Sequence, residues 1–158
     1  MRRLAQRRDQ QEILLEGPRV IAEAVACGVR LEVLVVREGE RFQAPAERSL
    51  TVTPQVFRSI SQTVTPQGVL AVARRPEAAL DEARRRATAA SWPLLVLDGV
   101  QDPGNVGAIA RTAAAAGAPA LVVLPGTADP FSPKAVRASA GNVFRLTVAA
   151  AGWDELED

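Results

Sequence analysis

Residues 94–115, LLVLDGVQDPGNVGAIARTAAA, decide the fold of the second half of the chain. The segment begins with a short apolar run at 94–97, which predicts a buried strand. A polar loop follows, and then a pattern of small residues predicts a helix at 106–116 that Gly117 ends. A second apolar run at 120–124 completes a strand-loop-helix-strand unit, whose two strands are expected to be parallel with a right-handed crossover.

The loop at residues 98–105 carries polar side chains where α/β proteins commonly bind ligands. It lies at the carboxyl end of a predicted parallel strand and leads into a helix N-terminus, whose free N–H groups favour anions. The glycine spacing does not fit GxGxxG, and no Lys-Ser or Lys-Thr pair follows to make a P-loop. A small nucleotide-binding module is therefore only weakly indicated. Asn105 fits two roles, a helix N-cap or a ligand contact.

Arg111 stands alone in the run of small apolar residues, six positions after Asn105. On a helix that starts near Val106, the apolar residues share one side and Arg111 falls well off it. Its guanidinium is therefore expected to reach solvent or a ligand. Two interpretations stay open: a surface arginine paired with Asp98 or Asp102, or a cation that binds an anionic ligand.

The remaining segments predict two α/β units joined by a charged stretch. In the second half we expect a helix at 132–140, a strand at 144–148 and the first turn of another helix at 153–158. In the first half we expect a basic helical start at 1–11, helices at 18–28 and 54–60, strands at 31–36, 51–53 and 68–73, and a polar loop at 41–49. Residues 76–90 are rich in charge and alanine, which indicates a linking helix or linker.

Composition excludes several kinds of chemistry. The chain has no histidine, which excludes a serine-histidine triad and histidine-ligated metals, and its single cysteine excludes a thiolate zinc site. The net charge of +1 carries no nucleic-acid signal, but Arg2, Arg3, Arg7 and Arg8 form a local basic cluster. No apolar run approaches the roughly 18 residues of a membrane span, and the charged start does not resemble a secretory signal. We expect a soluble cytoplasmic protein with no membrane partner and no metal.

Residues 98–149 resemble the SpoU/TrmH family of RNA ribose methyltransferases. The matching positions include Asp102-Pro103, Asn105, Gly107, Arg111-Thr112 and Gly117. The first half is similar to the same family in ILLEGPRVIAEAV at 13–25 and in VFRSISQTVTPQGVLAVAR at 56–74. The resemblance therefore covers nearly the whole chain.

The resemblance implies a fold and an activity. Residues 1–75 would form a small ribosomal-protein-like α/β domain that binds the RNA substrate, 76–90 a linker, and 91–158 the first part of a knotted, parallel-sheet α/β methyltransferase domain of the SPOUT class. The family transfers a methyl group from S-adenosylmethionine to a ribose 2′-hydroxyl, and ribosomal RNA is the expected target ahead of transfer RNA. The full-length protein is expected to be a homodimer.

The sequence departs from the family in the motifs that it lacks. The two later family motifs, which build the cofactor pocket, the knot and most of the dimer interface, are missing. A sheet of three parallel strands also needs cover on both faces. We therefore expect a fragment that is inactive alone and whose cofactor-binding residues lie beyond residue 158. The alternative is a non-catalytic RNA-binding protein or remnant.

The resemblance also assigns residues. Asn105 and Arg111 match the asparagine and arginine of the family's active site. Because a guanidinium practically never deprotonates in a protein, the role assigned to Arg111 is electrostatic: it holds an RNA phosphate bidentately and stabilises the developing alkoxide. The further residues expected to contact RNA are Arg19, Lys134, Arg137 and Ser139.

Overall fold

The chain divides into two units, residues 1–75 and residues 76–158. The structure is a computed structural model and describes residues 11–157. The helix predicted at 1–11, with its four arginines, lies outside the described residues except for Gln11, which is in a turn.

The first unit contains a four-stranded mixed sheet and two helices. Its elements are β1 (Glu12–Glu16), α1 (Pro18–Ala26), β2 (Leu31–Arg37), β3 (Ala46–Val52), α2 (Pro54–Ile60) and β4 (Val69–Arg74). The strand order is β1-β4-β2-β3, in which β4 is antiparallel to both of its neighbours and β2 is parallel to β3.

The core of the first unit forms around β4, which lies inside the sheet and is buried from Val69 to Ala73. Its unbroken apolar run is typical of a strand covered on both faces. The fully buried ring of Phe57 in α2 packs with Val35 and Leu70. The helix α1 begins with Pro18, whose missing N–H costs nothing in the first turn, and ends one residue before Cys27.

Two strands of the first unit differ from expectation. The strand β1 was not predicted, because its sequence EILLE is short and has a glutamate at each end. The polar loop predicted at 41–49 is wrong in its second half, where β3 begins at Ala46. This strand pairs with β2 on one side only and most of its side chains are exposed, so its sequence AERSLTV lacks the apolar pattern of a buried strand.

The second unit confirms the predicted α/β class with a parallel sheet. Its elements are α3 (Leu80–Ala89), β5 (Leu95–Leu97), α4 (Pro103–Ala115), β6 (Ala120–Val123), α5 (Pro133–Ala138), a 3-10 helix (Asn142–Arg145), β7 (Thr147–Ala150) and α6 (Trp153–Glu157). The strands lie in the order β5-β6-β7, and both pairings are parallel. The stretch 76–90 contains α3, whose buried Ala83 packs in one cluster with Val122 and Ala149.

The third predicted strand is wrong in position. Residues 142–145 form a 3-10 helix instead, and the strand runs from Thr147 to Ala150. The cause is packing, since the buried ring of Phe144 stacks on Phe131 with centroids 5.9 Å apart. Phe144 is thus part of the hydrophobic core although it lies in a 3-10 helix and not in a strand. Among the helices described within residues 11–157, none is long and apolar enough to cross a membrane.

Candidate functional site

Two loops meet at the carboxyl ends of β5 and β6. The carbonyl oxygen of Leu97 accepts hydrogen bonds from the Leu124 N–H, at 2.9 Å, and from the Thr127 hydroxyl, at 3.0 Å. The Ala128 N–H donates to the carbonyl of Val100 at 2.9 Å. The loop that leads into α4 is therefore fixed against the loop that leads into α5, at the edge of the sheet where open α/β proteins bind ligands.

The helix α4 begins earlier than the sequence predicted. Asp102 is its N-cap: Oδ1 accepts the backbone N–H of Asn105 at 3.0 Å, and Pro103 occupies the first helical position. The interpretation of Asn105 as the N-cap is therefore wrong. Asn105 lies in the first turn with its side chain exposed, which leaves its amide available to a ligand.

An ion pair joins the cap of α4 to α5. The ammonium Nζ of Lys134 lies 2.7 Å from Oδ2 of Asp102, on a partly exposed surface. This contact, followed by the N–H of Asn105, lowers the pKa of the Asp102 carboxyl from its ordinary value. Lys134 was expected to contact RNA, but here its charge is already matched by a carboxylate.

The helices α4 and α5 touch at Gly107. A Cβ built on Gly107 would lie 2.3 Å from the carbonyl oxygen of Ala135 and 2.7 Å from the Cβ of Ala138. Only glycine allows this approach of the two backbones. Asn105 lies two residues before the crossing and Arg111 four residues after it, so the crossing holds the helix that carries both.

Arg111 projects from α4 into solvent, as predicted. Within residues 11–157 its guanidinium makes no hydrogen bond or ion pair. Asp102, one of the two carboxylates proposed as its partner, binds Lys134 instead. The predicted ion pair of Arg111 is therefore absent within residues 11–157, and its contact with an anionic ligand stays a prediction.

Ser139 was expected to contact RNA, and the structure contradicts this role. Its side chain is fully buried: the hydroxyl donates to the Val136 carbonyl at 2.8 Å and accepts the Val143 N–H at 3.4 Å. The carbonyl of Ser139 accepts the side-chain amide of Asn142 at 2.9 Å. Ser139 thus stabilises the turn between α5 and the 3-10 helix.

Arg137 and Arg19 are both exposed. Arg137 follows Lys134 by three residues on α5, which places the two cations on neighbouring parts of one helix face. Arg19 lies in the first turn of α1, in the other unit. Neither guanidinium makes an ion pair with another described residue, so both remain predicted phosphate contacts.

One functional residue was underestimated in the sequence. In the sequence Asp102 was a family match and a possible partner for Arg111, whereas in the structure it caps α4 and binds Lys134. The signal was present in the string Asp-Pro-Gly-Asn, because a short acidic side chain before a proline is typical of a helix start.

The residues where the two loops meet are open to solvent. Asp98, Gly99, Pro125 and Gly126 are all exposed where the two loops meet. A molecule of the size of S-adenosylmethionine is normally held in a concave site that buries most of its surface. No residue of the two loops is therefore assigned to the cofactor.

The fold and the site define an α/β protein whose parallel-sheet unit presents an exposed amide and an exposed arginine on the helix that follows its first strand. Residues 93–158 match the model of the SpoU rRNA Methylase family. Residues 1–71 match the MRM3-like substrate binding domain. Residues 93–158 are thus similar to the SpoU rRNA Methylase family, and this match confirms the resemblance seen in the sequence.

Individual relatives agree with this assignment. The rRNA methyltransferase 3A, mitochondrial, of Danio rerio is 34% identical, over 94% of this chain and 36% of the relative. The 23S rRNA (guanosine(2553)-2'-O)-methyltransferase RlmP of Bacillus subtilis is 33% identical, over 85% of this chain and 52% of the relative. The structure of the SpoU methyltransferase AviRb from Streptomyces viridochromogenes, in complex with AdoMet, superposes with a TM-score of 0.78 at 26% identity, over 98% of this chain and 61% of that one.

The chain spans about a third to a half of the length of these curated relatives. It spans 36% of the zebrafish relative and 52% of the Bacillus relative. The alignments cover 94% and 85% of this chain, so each includes residues of both units.

Proposed function

We propose that the chain is part of an S-adenosylmethionine-dependent RNA 2′-O-methyltransferase, and that it supplies the RNA-binding side of the active site. The proposal is supported by the family match, by the 2′-O activity in the name of the Bacillus relative and by AdoMet in the AviRb structure. Ribosomal RNA is the substrate class named for the relatives.

The observation that carries the proposal is the placement of Arg111. It is an exposed cation without a partner among residues 11–157, on a helix fixed at its start by the Asp102 cap and beyond it by the Gly107 crossing. A guanidinium is charged at every accessible pH and binds a phosphate through two parallel hydrogen bonds. Arg111 would thus hold the phosphate beside the target ribose and stabilise negative charge as it develops on the 2′-oxygen.

Asn105 lies on the same helix as Arg111 and nearer to the loops. Its exposed side-chain amide offers two donors and one acceptor oxygen. An amide of this kind can orient a ribose hydroxyl, which is both a donor and an acceptor. We assign Asn105 to positioning the 2′-hydroxyl, with the methyl group supplied by S-adenosylmethionine when the cofactor is bound.

Phosphate contacts beyond Arg111 are assigned by exposure. Arg137 and Arg19 are exposed and available, whereas Lys134 must leave Asp102 before it can bind a phosphate, and the buried Ser139 is not assigned to RNA. A homodimeric full-length enzyme and a cytoplasmic location stay predictions of the sequence.

The test is methyl transfer by a chimera. Residues 1–158 would replace the aligned half of the Bacillus relative, so that the rest of that protein completes the cofactor site. With 23S rRNA transcripts and labelled S-adenosylmethionine, we expect transfer by the chimera. The Arg111→Ala chimera should lose about 100-fold or more in rate, the usual effect of removing one charge-stabilising donor, while calorimetry still detects cofactor binding.

Two outcomes would contradict the proposal. A folded chimera that binds cofactor and RNA but transfers no methyl group would favour a non-catalytic RNA-binding protein. Transfer at an unchanged rate after Arg111→Ala would remove Arg111 from the mechanism. The Arg85→Ala chimera is the matched control, because Arg85 is an exposed arginine of the same unit that pairs with Glu82.

A further inference from the structure

The first unit contains a buried carboxylate that the proposed mechanism does not use. Glu16 is the last residue of β1 and is only 7% exposed. Its carboxylate accepts hydrogen bonds from the Thr63 hydroxyl at 2.6 Å, from the Gln62 N–H at 3.2 Å and from the Ser61 hydroxyl. All three donors belong to the segment between α2 and β4.

These hydrogen bonds fix the start of that segment. A buried carboxylate is costly unless it is hydrogen-bonded, and within the described residues the partners of Glu16 are neutral donors. Loss of the segment's conformation would therefore leave a buried charge without compensation. Residues 61–63 are held to the end of β1 for this reason.

The end of the segment is fixed at the same place. Gly17 follows Glu16 directly with φ at +101°, a conformation that favours glycine. A Cβ on Gly17 would lie 2.6 Å from Oε1 of Gln67, so the Gln67 side chain rests directly on this glycine. Both ends of the segment thus lie beside the start of α1, where Arg19 is exposed in the first turn.

The segment presents uncharged side chains to solvent. Gln62, Val64 and Thr65 are exposed, and Val64 is fully so. Among residues 11–157 the three side chains make no hydrogen bond, although the backbone N–H of Gln62 is bound to Glu16. The amide of Gln62 and the hydroxyl of Thr65 can form hydrogen bonds, and the side chain of Val64 can make apolar contacts. The loop is therefore suited to bind a partner that offers both polar groups and apolar surface.

We propose that residues 62–67 contact unpaired nucleotides of the RNA substrate, with Arg19 on an adjacent phosphate. This inference rests on the proposed function. Amide and hydroxyl groups pair with the edges of bases, and an apolar side chain packs on a base face. Base edges are accessible in RNA mainly in loops, bulges and ends. Residues 62–67 carry no charge, so they contribute no ionic attraction to phosphates.

The experiment measures RNA binding by the 158-residue chain with fluorescence anisotropy. The probes are an RNA hairpin with a single-stranded loop and a blunt duplex of the same stem. The double variant Gln62→Ala, Val64→Ser leaves the backbone N–H that binds Glu16 in place. We expect about a tenfold loss of hairpin affinity, typical of one lost base contact, and no change for the duplex.

Salt separates this loop from the cationic contacts. Because the changed side chains are neutral, the fold-loss should be the same at low and high salt, whereas loss of a phosphate contact changes the salt dependence. The matched control is the double variant Gln43→Ala, Leu50→Ser, which removes an exposed amide and an exposed apolar side chain elsewhere in the same unit. It should bind both probes as the wild type does.

The outcomes distinguish the two proposals. Wild-type binding that the loop variant leaves unchanged, or reduces equally for hairpin and duplex, would overturn the assignment of the loop and leave the proposed function standing. A wild-type chain that binds neither probe would overturn both. Thermal unfolding by circular dichroism checks the fold, and the single variant Thr65→Ala provides a second, milder change to the same surface, with a smaller hairpin-specific loss expected.

Discussion

The ammonium of Lys134 lies 2.7 Å from the carboxylate of Asp102, which at the same time caps α4. One side chain therefore satisfies the backbone at the start of the helix that carries Asn105 and Arg111, and also binds the neighbouring helix. The two residues are 32 positions apart in the sequence. Their ion pair connects the start of α4 with α5, the two helices that follow the loops of the candidate site.

The Asp102 contacts predict a pH-dependent stability. The pKa of this carboxyl is lowered in the folded chain, so its contribution is present above the ordinary aspartate pKa and is lost as the pH falls through the lower folded-state value. Asp102→Asn keeps a capping oxygen but removes the charge. We expect the variant to unfold at a lower temperature than the wild type near neutral pH, and the difference to vanish in acid.

Two comparisons make the Asp102 prediction specific. Asp102→Ala also removes the cap and should destabilise more than Asp102→Asn at every pH. Asp98→Asn changes an exposed carboxylate of the same loop that has no ion pair among the described residues, and it should leave the melting temperature unchanged. Equal melting curves for the wild type and Asp102→Asn at neutral pH would show that the ion pair contributes nothing.

Gly107→Ala should destabilise the second unit although alanine favours helices. The added Cβ would lie 2.3 Å from a backbone oxygen of α5, which cannot rotate away, so the helices must separate. Forced overpacking costs about 1–3 kcal/mol, more than the roughly 1 kcal/mol that alanine gains over glycine in a helix. Urea unfolding measures the net loss. Gly152→Ala, whose Cβ would meet only Glu155 at 3.5 Å, should cost less, because it loses only the preference for glycine at the start of α6.

The sequence predicted the strands that are formed by continuous runs of apolar residues. The runs that became β5, β6 and the interior strand β4 are apolar and branched, and their neighbours in space bury them. The exposed strand β3 and the turn that places Phe144 in the core could not be recognised, because an edge strand needs no apolar residues and a core residue needs no strand.

The sequence predicted which residues belong to the candidate site, but it did not predict the contacts that these residues make. Asn105 and Arg111 came from the family pattern, and the placement of Arg111 on the polar side of α4 followed from helical periodicity. The pairing of Lys134 with Asp102 and the burial of Ser139 depend on how α5 docks at Gly107. A small hydroxyl residue is compatible with either surface or core, so its sequence context carried no signal.

Arg111→Ala should weaken RNA binding in a salt-dependent way. Each phosphate contact releases counterions, so removal of one reduces the slope of log affinity against log salt by about one. Anisotropy titrations of an rRNA fragment over a range of salt concentrations measure this slope. Arg85→Ala removes the same charge from an arginine that is paired with Glu82 and should leave the slope unchanged. The same slope for Arg111→Ala and wild type would mean that Arg111 does not bind phosphate.

Ser139→Ala should affect stability and not RNA binding. The hydroxyl is buried and bonded to Val136 and Val143, so its loss leaves a buried N–H without its partner and costs about 1–3 kcal/mol. Urea unfolding should detect this loss, while Ser49→Ala, at an exposed hydroxyl of β3, should have no measurable effect. Because the folded surface is unchanged, RNA affinity measured well below the unfolding transition should equal that of the wild type. Weaker binding by a fully folded Ser139→Ala chain would restore Ser139 as an RNA contact, reached only when the turn after α5 opens.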